Sequence, residues 1–183
     1  MNRQSETPST SELALLCLLA EKPMHAYEME EVITTRGMRE WTTIGFSSIY
    51  YSLKKMFKAG WLEKMQAASE VGGPLKHVFS LSPKGRTVWE KAVLKAITRP
   101  DPGDDPFLVG LSALPLLDKK QVFSALQTYL VEMENIAQKL AEKNAGNDDP
   151  VPNHVSSMFD YSLKRIYATM DWIREWQTQL GEE

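Results

Sequence analysis

The sequence predicts a mainly α-helical chain with one small β-hairpin, an N-terminal part of short elements and a C-terminal part of two long helices. Three observations lead there. Ten prolines leave long uninterrupted stretches between them, and proline is kept out of helix interiors by its missing N–H and its ring. Between residues 61 and 81 the apolar spacing changes from helical to alternating. After residue 118, two stretches repeat apolar residues in steps of four and three, the period of helices that pack on a partner. With 183 residues, 43% hydrophobic and 25% charged, the chain has apolar content for a real core, which excludes disordered and disulfide-stapled classes.

The elements follow in order. Ser9-Thr10-Ser11-Glu12 has the form of a capping box, and an almost uniformly apolar run follows it, so residues 10–21 are a buried helix. A second helix runs from Met24 to Arg36, closed by Gly37, with Met29, Val32 and Ile33 inward. The third covers 46–59 and ends at Gly60. Trp61–Met65 and Lys76–Leu81 read as two strands around a turn at Gly72-Gly73-Pro74, with His77, Phe79 and Leu81 on one face. Ser82 before Pro83 is an N-cap with proline at the first helical position, which starts a fourth helix over 83–97. Thr98–Asp105, with Pro100, Pro102 and Gly103, reads as a linker.

In the C-terminal part the seam residues of a first helix, 118–143, are Val122, Leu126, Tyr129, Met133, Ile136 and Leu140. Those of a second, 153–180, are Phe159, Leu163, Ile166, Met170 and Ile173. The loop 144–153 folds the two back as an antiparallel pair, and the seams are expected to serve dimerisation. The organisation is therefore 1–97, a linker 98–105, and an α-helical domain 106–183.

Charge divides along the same line. The formal net charge of −3 argues against a polyanion-binding protein, but residues 1–97 hold 13 bases and 10 acids, and residues 98–183 hold 8 and 14. Residues 50–97 alone carry nine bases against three acids. Such an asymmetry points to a basic module joined to an acidic one. The single cysteine, Cys17, cannot form an internal disulfide and fits a reducing, cytoplasmic setting. The apolar run Leu13–Ala20 is too short to span a bilayer and lacks the flanks of a secretion signal.

Three helices and a two-stranded wing, in that order, make a winged helix-turn-helix, whose third helix enters the DNA major groove. At 100° per residue, Phe46, Ile49, Leu53, Met56 and Phe57 share the core arc of that helix. Ser47, Ser48, Tyr51, Lys54, Lys55 and Lys58 share the opposite arc, with Tyr50 at the boundary. Lysines neutralise phosphates, small N-terminal residues allow close approach, and the outward arc holds no acid. Lys76 and His77 on the wing complete the expected DNA-binding set. A solvated lysine face is the competing reading of this helix on its own.

Several motifs then carry a resemblance. Leu13-Ala14-Leu15-Leu16, Pro23-Met24-His25-Ala26-Tyr27-Glu28, Ser48-Ile49-Tyr50-Tyr51-Ser52-Leu53, Gly60-Trp61-Leu62 and Ser80-Leu81-Ser82-Pro83-Lys84-Gly85-Arg86 resemble, in order and spacing, the PadR family of bacterial transcriptional regulators. The long C-terminal part is similar to the family's larger subgroup, in which an α-helical domain supports dimerisation. The resemblance implies a homodimeric repressor that binds a roughly palindromic double-stranded operator and releases it on binding a small effector, phenolic or aromatic in some members. The chain departs from the family pattern at Ala26, where glycine is usual, and in the wing, which has fewer arginines and no Tyr-Tyr pair.

Other constellations are set aside. His25, His77 and His154 fall in different elements, so no metal site is expected, and His25 reads as a helix-start residue beside Glu28. No nucleophile elbow, phosphate-cradling loop or H-E-x-x-H occurs, so neither catalysis nor a cofactor is expected. The aromatics Phe107, Phe123, Tyr129, Phe159, Tyr161, Tyr167, Trp172 and Trp176 read as core or interface, as do Tyr27 and Trp41, and no effector residue is assigned. Two further functions fit the same residues: a winged-helix module that binds a protein partner through its acidic half, and a binder of aromatic compounds with no operator.

Overall fold

The computed structural model describes residues 7–67, 76–99, 103, 105–145 and 152–182. The chain divides into two compact units, Met1–Pro102 and Gly103–Glu183. The mainly helical class with a small sheet is borne out.

In the first unit, α1 (Thr10–Glu21) opens with the predicted reciprocal box. The Glu12 N–H donates to Ser9 Oγ at 3.3 Å, and the Ser9 N–H donates to Glu12 Oε2 at 2.9 Å. Leu15, Leu16 and Leu18 are fully buried, and α1 packs on α3 (Phe46–Lys58), α4 (Pro83–Thr98) and β3 (Lys76–Leu81). Each such leucine contributes about 1.5–3 kcal/mol of transfer free energy.

The helix predicted from Met24 begins two residues later. Met24–His25 form a short strand, β1, that pairs antiparallel with β3 in the register Met24↔Phe79 and His25↔Val78. With β2 (Leu62–Ala67) on the other side of β3, from Leu62↔Leu81 to Ala67↔Lys76, the sheet has three strands in the order β1-β3-β2, where sequence reading had a two-stranded hairpin. A two-residue strand carries no alternation to detect. His25 instead caps α2 (Ala26–Thr35), its Nδ1 accepting the Glu28 N–H at 2.9 Å. Lys22 pairs with Glu28 and holds its carboxyl below the usual range. The turn expected at residues 72–74 lies outside the described residues.

The buried stripe of α2 is Ala26, Met29 and Ile33. Tyr27 lies off that stripe and is 65% exposed, and Trp41, after a 3-10 turn at Met38–Glu40, is 50% exposed, so neither is the core residue expected. Gly37 (φ 62°) and Gly60 (φ 75°), which follow α2 and α3, take the left-handed conformation that favours glycine.

The end of α3 is fastened to the start of α4 by backbone carbonyls. Ser82 Oγ donates to Gly60 O at 2.7 Å and accepts the Gly85 N–H at 2.9 Å. The Ser82 N–H donates to Trp61 O at 3.0 Å, and Lys84 Nζ donates to Ala59 O at 2.8 Å. A Cβ on Gly85 would stand 1.8 Å from Trp61 O, so only glycine allows this approach.

The second unit holds α5 (Pro106–Ser112), a 3-10 turn at Leu114–Leu116, α6 (Lys119–Ala145) and α7 (Asn153–Glu182). The short α5 was not anticipated; Asp105 caps it, accepting the Phe107 N–H at 2.9 Å. Gln127 pairs with Gln177 at 3.1 Å and Glu134 with Arg174 at 2.8 Å, so α6 and α7 run antiparallel. Val122, Leu126, Leu130, Met170 and Ile173 form the core between them, joined by Phe107 stacked on Tyr129 at 4.6 Å. Burial, and then the charge of Asp105, push the Tyr129 phenol above its ordinary pKa.

This packing changes the meaning of the heptad seams. Val122, Leu126, Met170 and Ile173 are buried against the chain's own second helix, with Tyr129, Met133 and Ile166 packed around them. Leu140, Phe159 and Leu163 are half-buried, and Ile136 alone among the eleven is exposed. The 4, 3 spacing reports an intrachain pair as readily as an intermolecular one, because either partner satisfies it. Phe123, Tyr161, Tyr167 and Trp172, expected in a core or interface, are exposed on this protomer.

Candidate nucleic-acid interface

The buried residues of α3 are Ile49, Ser52, Leu53 and Met56, which seat the helix on α1 and α2. Ser47, Tyr51, Lys54 and Lys58, spaced four, three and four, therefore form one outward stripe. All four are exposed, Tyr51 at 71%. No side chain caps the first turn, which begins after Gly45, and no acid lies in it. Free N–H groups and the positive end of the helix dipole favour an anion there. Ser48 is half-buried, its hydroxyl donating to Gly45 O at 2.6 Å, which withdraws that proton from any external acceptor.

Lys55 is the clearest departure from the expected set. Its Nζ lies 2.7 Å from Oε1 of Glu12, a carboxylate only 3% exposed. The ammonium compensates a buried charge on α1 and is not available as a free phosphate contact. Arg36 and Arg39 are likewise engaged, in two-pronged contacts with Glu21 and Glu30. Lys54 and Lys58, with Lys64 on β2, carry no ion pair among the described residues, so they supply the available positive charge of this face.

A second outward stripe is aromatic. Phe46 and Phe57, expected in the core, are exposed. Phe46 overhangs the core at the first position of α3 and meets Tyr50 edge to face at 5.8 Å. Tyr50, Lys54 and Phe57 form one wall of a cleft of about 550 Å³ whose other walls come from the start of α2 and from β2 and β3, with Tyr27, Lys64 and His77. His77 Nδ1 is buried and has no hydrogen-bond partner among the described residues. Of these lining residues, Tyr50, Lys54 and His77 belong to the expected DNA-binding set, and Tyr27, Phe57 and Lys64 do not. The offset of Tyr27 from the apolar stripe of α2 was the available signal. Lys76 opens β3, but its side chain lies outside the described residues.

Three helices with α3 turned outward, and an antiparallel β2–β3 ribbon beside it, define a winged helix-turn-helix protein. Residues 15–91, from within α1 through β3 into α4, match the model of the transcriptional regulator PadR-like family, in agreement with the motifs. Among solved structures, the chain is similar to Bacillus subtilis PadR in complex with operator DNA, at a TM-score of 0.73 and 16% identity, covering 92% of this chain and 96% of that one. It is also similar to the same protein in complex with p-coumaric acid, at a TM-score of 0.72 and 16% identity, covering 94% and 96%. The Vibrio cholerae virulence activator AphA matches at a TM-score of 0.71 and 15% identity, covering 94% and 99%. No curated protein matches the sequence. Among the described residues, no helix is long and apolar enough to cross a membrane and no cluster of side chains could hold a metal ion.

Proposed function

We propose that the chain is a cytoplasmic, homodimeric DNA-binding transcriptional regulator that reads an operator with α3 and represses until a small aromatic effector releases it. The observation that carries this reading is the stripe Ser47, Tyr51, Lys54 and Lys58, exposed and free of acids on the helix that a winged-helix protein lays in the major groove. Lys54 and Lys58 hold phosphates, Tyr51 reaches a phosphate or a thymine methyl, and Lys64 and the wing follow the backbone. Operator DNA and p-coumaric acid were bound in the Bacillus subtilis structures, which supports the partner and the effector class.

In this reading the second unit supplies the dimer contact through the apolar residues left outside its own core, among them Phe123, Val131, Ile136 and Tyr161. A dimer sets two α3 helices one DNA turn, about 34 Å, apart and so selects a two-fold symmetric site. Footprinting on the DNA upstream of the protein's own gene tests it: protection of a two-fold symmetric site is expected, and no protection at low salt refutes it. Transcription from that promoter, with and without the protein, separates repression from the activation named for AphA.

A further inference from the structure

The outward face of α3 limits which bases it can read. The N-terminal residues of a recognition helix meet base edges in the major groove, where the side chains that pair in two-pronged fashion are Arg, Lys, Asn and Gln, with the acids accepting from cytosine. Phe46–Lys58 contains no Arg, Asn, Gln, Asp or Glu, and its lysines begin only at Lys54, in the third turn. The first two turns expose Phe46, Ser47, Tyr50 and Tyr51. The Ser48 hydroxyl is held by Gly45 O, and that of Ser47 has no partner among the described residues. A hydroxyl both donates and accepts, so Ser47 does not separate one base pair from another. What remains are rings: Tyr51 is 71% exposed and Tyr50 52%, the latter braced edge to face by Phe46. The feature of the major groove that an apolar ring recognises is the C5 methyl of thymine.

We propose that α3 reads its half-site through thymine methyl groups, packed on the ring of Tyr51 within the outward stripe and on that of Tyr50 at its flank. This inference rests on the operator reading and names the base chemistry that the operator must offer. Lys54 and Lys58, on the same stripe as Tyr51, hold phosphates of any sequence and supply affinity without discrimination. The half-sites therefore carry T·A pairs opposite the first two turns of α3. Discrimination disappears when those methyls are removed, although every base-pair hydrogen bond and every phosphate stays in place.

The test compares the upstream DNA with the same duplex made with uracil in place of every thymine, binding the full-length protein. Wild type is expected to bind the uracil duplex more weakly by about fourfold for each methyl buried, or about fifteenfold for one in each half-site of a dimer. Tyr51→Ala, at an exposed position that does not threaten folding, should lose most of that difference, measured at low salt where Lys54 and Lys58 still hold the DNA. Tyr51→Phe, which keeps the ring, should retain it. These two variants separate a direct contact from any effect of the methyls on DNA stiffness, which no change in the protein alters. At a thymine located by partial uracil replacement, cytosine should weaken binding and 5-methylcytosine should restore part of it, because the methyl returns to the same place in the groove. Equal affinity of wild type for the two duplexes, an undiminished difference in Tyr51→Ala, or 5-methylcytosine no better than cytosine overturns the proposal. Protection of a two-fold symmetric site that binds equally well with uracil sinks the methyl reading alone, whereas no protection of the upstream DNA sinks the operator reading and this inference with it.

Discussion

Glu12 and Lys55 join α1 to the helix assigned to DNA by an ion pair of 2.7 Å, in which the carboxylate is 3% exposed and the ammonium side chain 37%. Glu12 spends its other oxygen on the Ser9 N–H, so one carboxylate both caps α1 and locates α3. Lys55 is then a structural residue on a helix whose neighbouring lysines face outward. Lys55→Ala leaves a buried carboxylate short of a partner and is expected to cost about 1–3 kcal/mol, measured by urea unfolding. Glu12→Gln, which keeps an acceptor for Ser9, should cost less than Glu12→Ala.

Gly85→Ala puts a methyl group 1.8 Å from the Trp61 carbonyl oxygen, in a place built of backbone on both sides. Neither α4 nor the strand entrance can yield without breaking the Ser82 contacts to Gly60 and Trp61. The expected loss is about 2–4 kcal/mol, on the scale of severe overpacking. A variant with wild-type unfolding midpoint would refute this account of the glycine.

Cys17 tests the core of the first unit by its reactivity. Burial raises its thiol pKa, and a hydrogen bond from Trp89 Nε1–H to Sγ, at 3.4 Å, partly opposes that. Alkylation by iodoacetamide at neutral pH should therefore be slow in the native protein and fast in urea. A folded-state pKa above the unfolded one gives stability that is whole below the unfolded thiol pKa and is lost as pH rises through the folded value. Unfolding free energy should accordingly decline on the alkaline side, and Cys17→Ser should remove that part of the decline.

In the second unit, Ile173 and Ile136 separate folding from association. Ile173 is completely buried, so Ile173→Ala is expected to cost about 2–5 kcal/mol in unfolding experiments. Ile136 is exposed on the protomer, so Ile136→Glu should leave helicity intact and raise the dimer dissociation constant. Analytical ultracentrifugation and circular dichroism, run on the same variants, distinguish the two.

Most of the fold was legible because its signals are local. The capping box at Ser9, the proline behind Ser82 and the glycines after α2 and α3 each mark an element end by a hydrogen bond or a torsion that neighbouring residues settle. What escaped was set by contacts distant in sequence. Met24 and His25 became a strand because β3 lies beside them, and Lys55 turned to Glu12 because α1 presents a buried carboxylate 43 residues earlier. Helical periodicity ranked Lys54, Lys55 and Lys58 alike. It assigns a residue to an arc about 100° wide, and within that arc a tertiary partner decides which cation stays free. Of the seams at 122–140 and 159–173, Val122, Leu126, Met170 and Ile173 pack in the chain's own core while Ile136 stays exposed, because spacing does not name the partner.

The central claim, that the free stripe of α3 meets DNA phosphates, is tested most directly by the salt dependence of binding to the upstream DNA in wild type and Lys54→Ala. Three free lysines per protomer, six in a dimer, predict a slope of log K against log salt of about −5. Lys54→Ala should reduce its magnitude by about one per protomer, about two for the dimer, with unchanged unfolding stability. An unchanged slope in Lys54→Ala, or a larger reduction in a folded Lys55→Ala, would contradict the account.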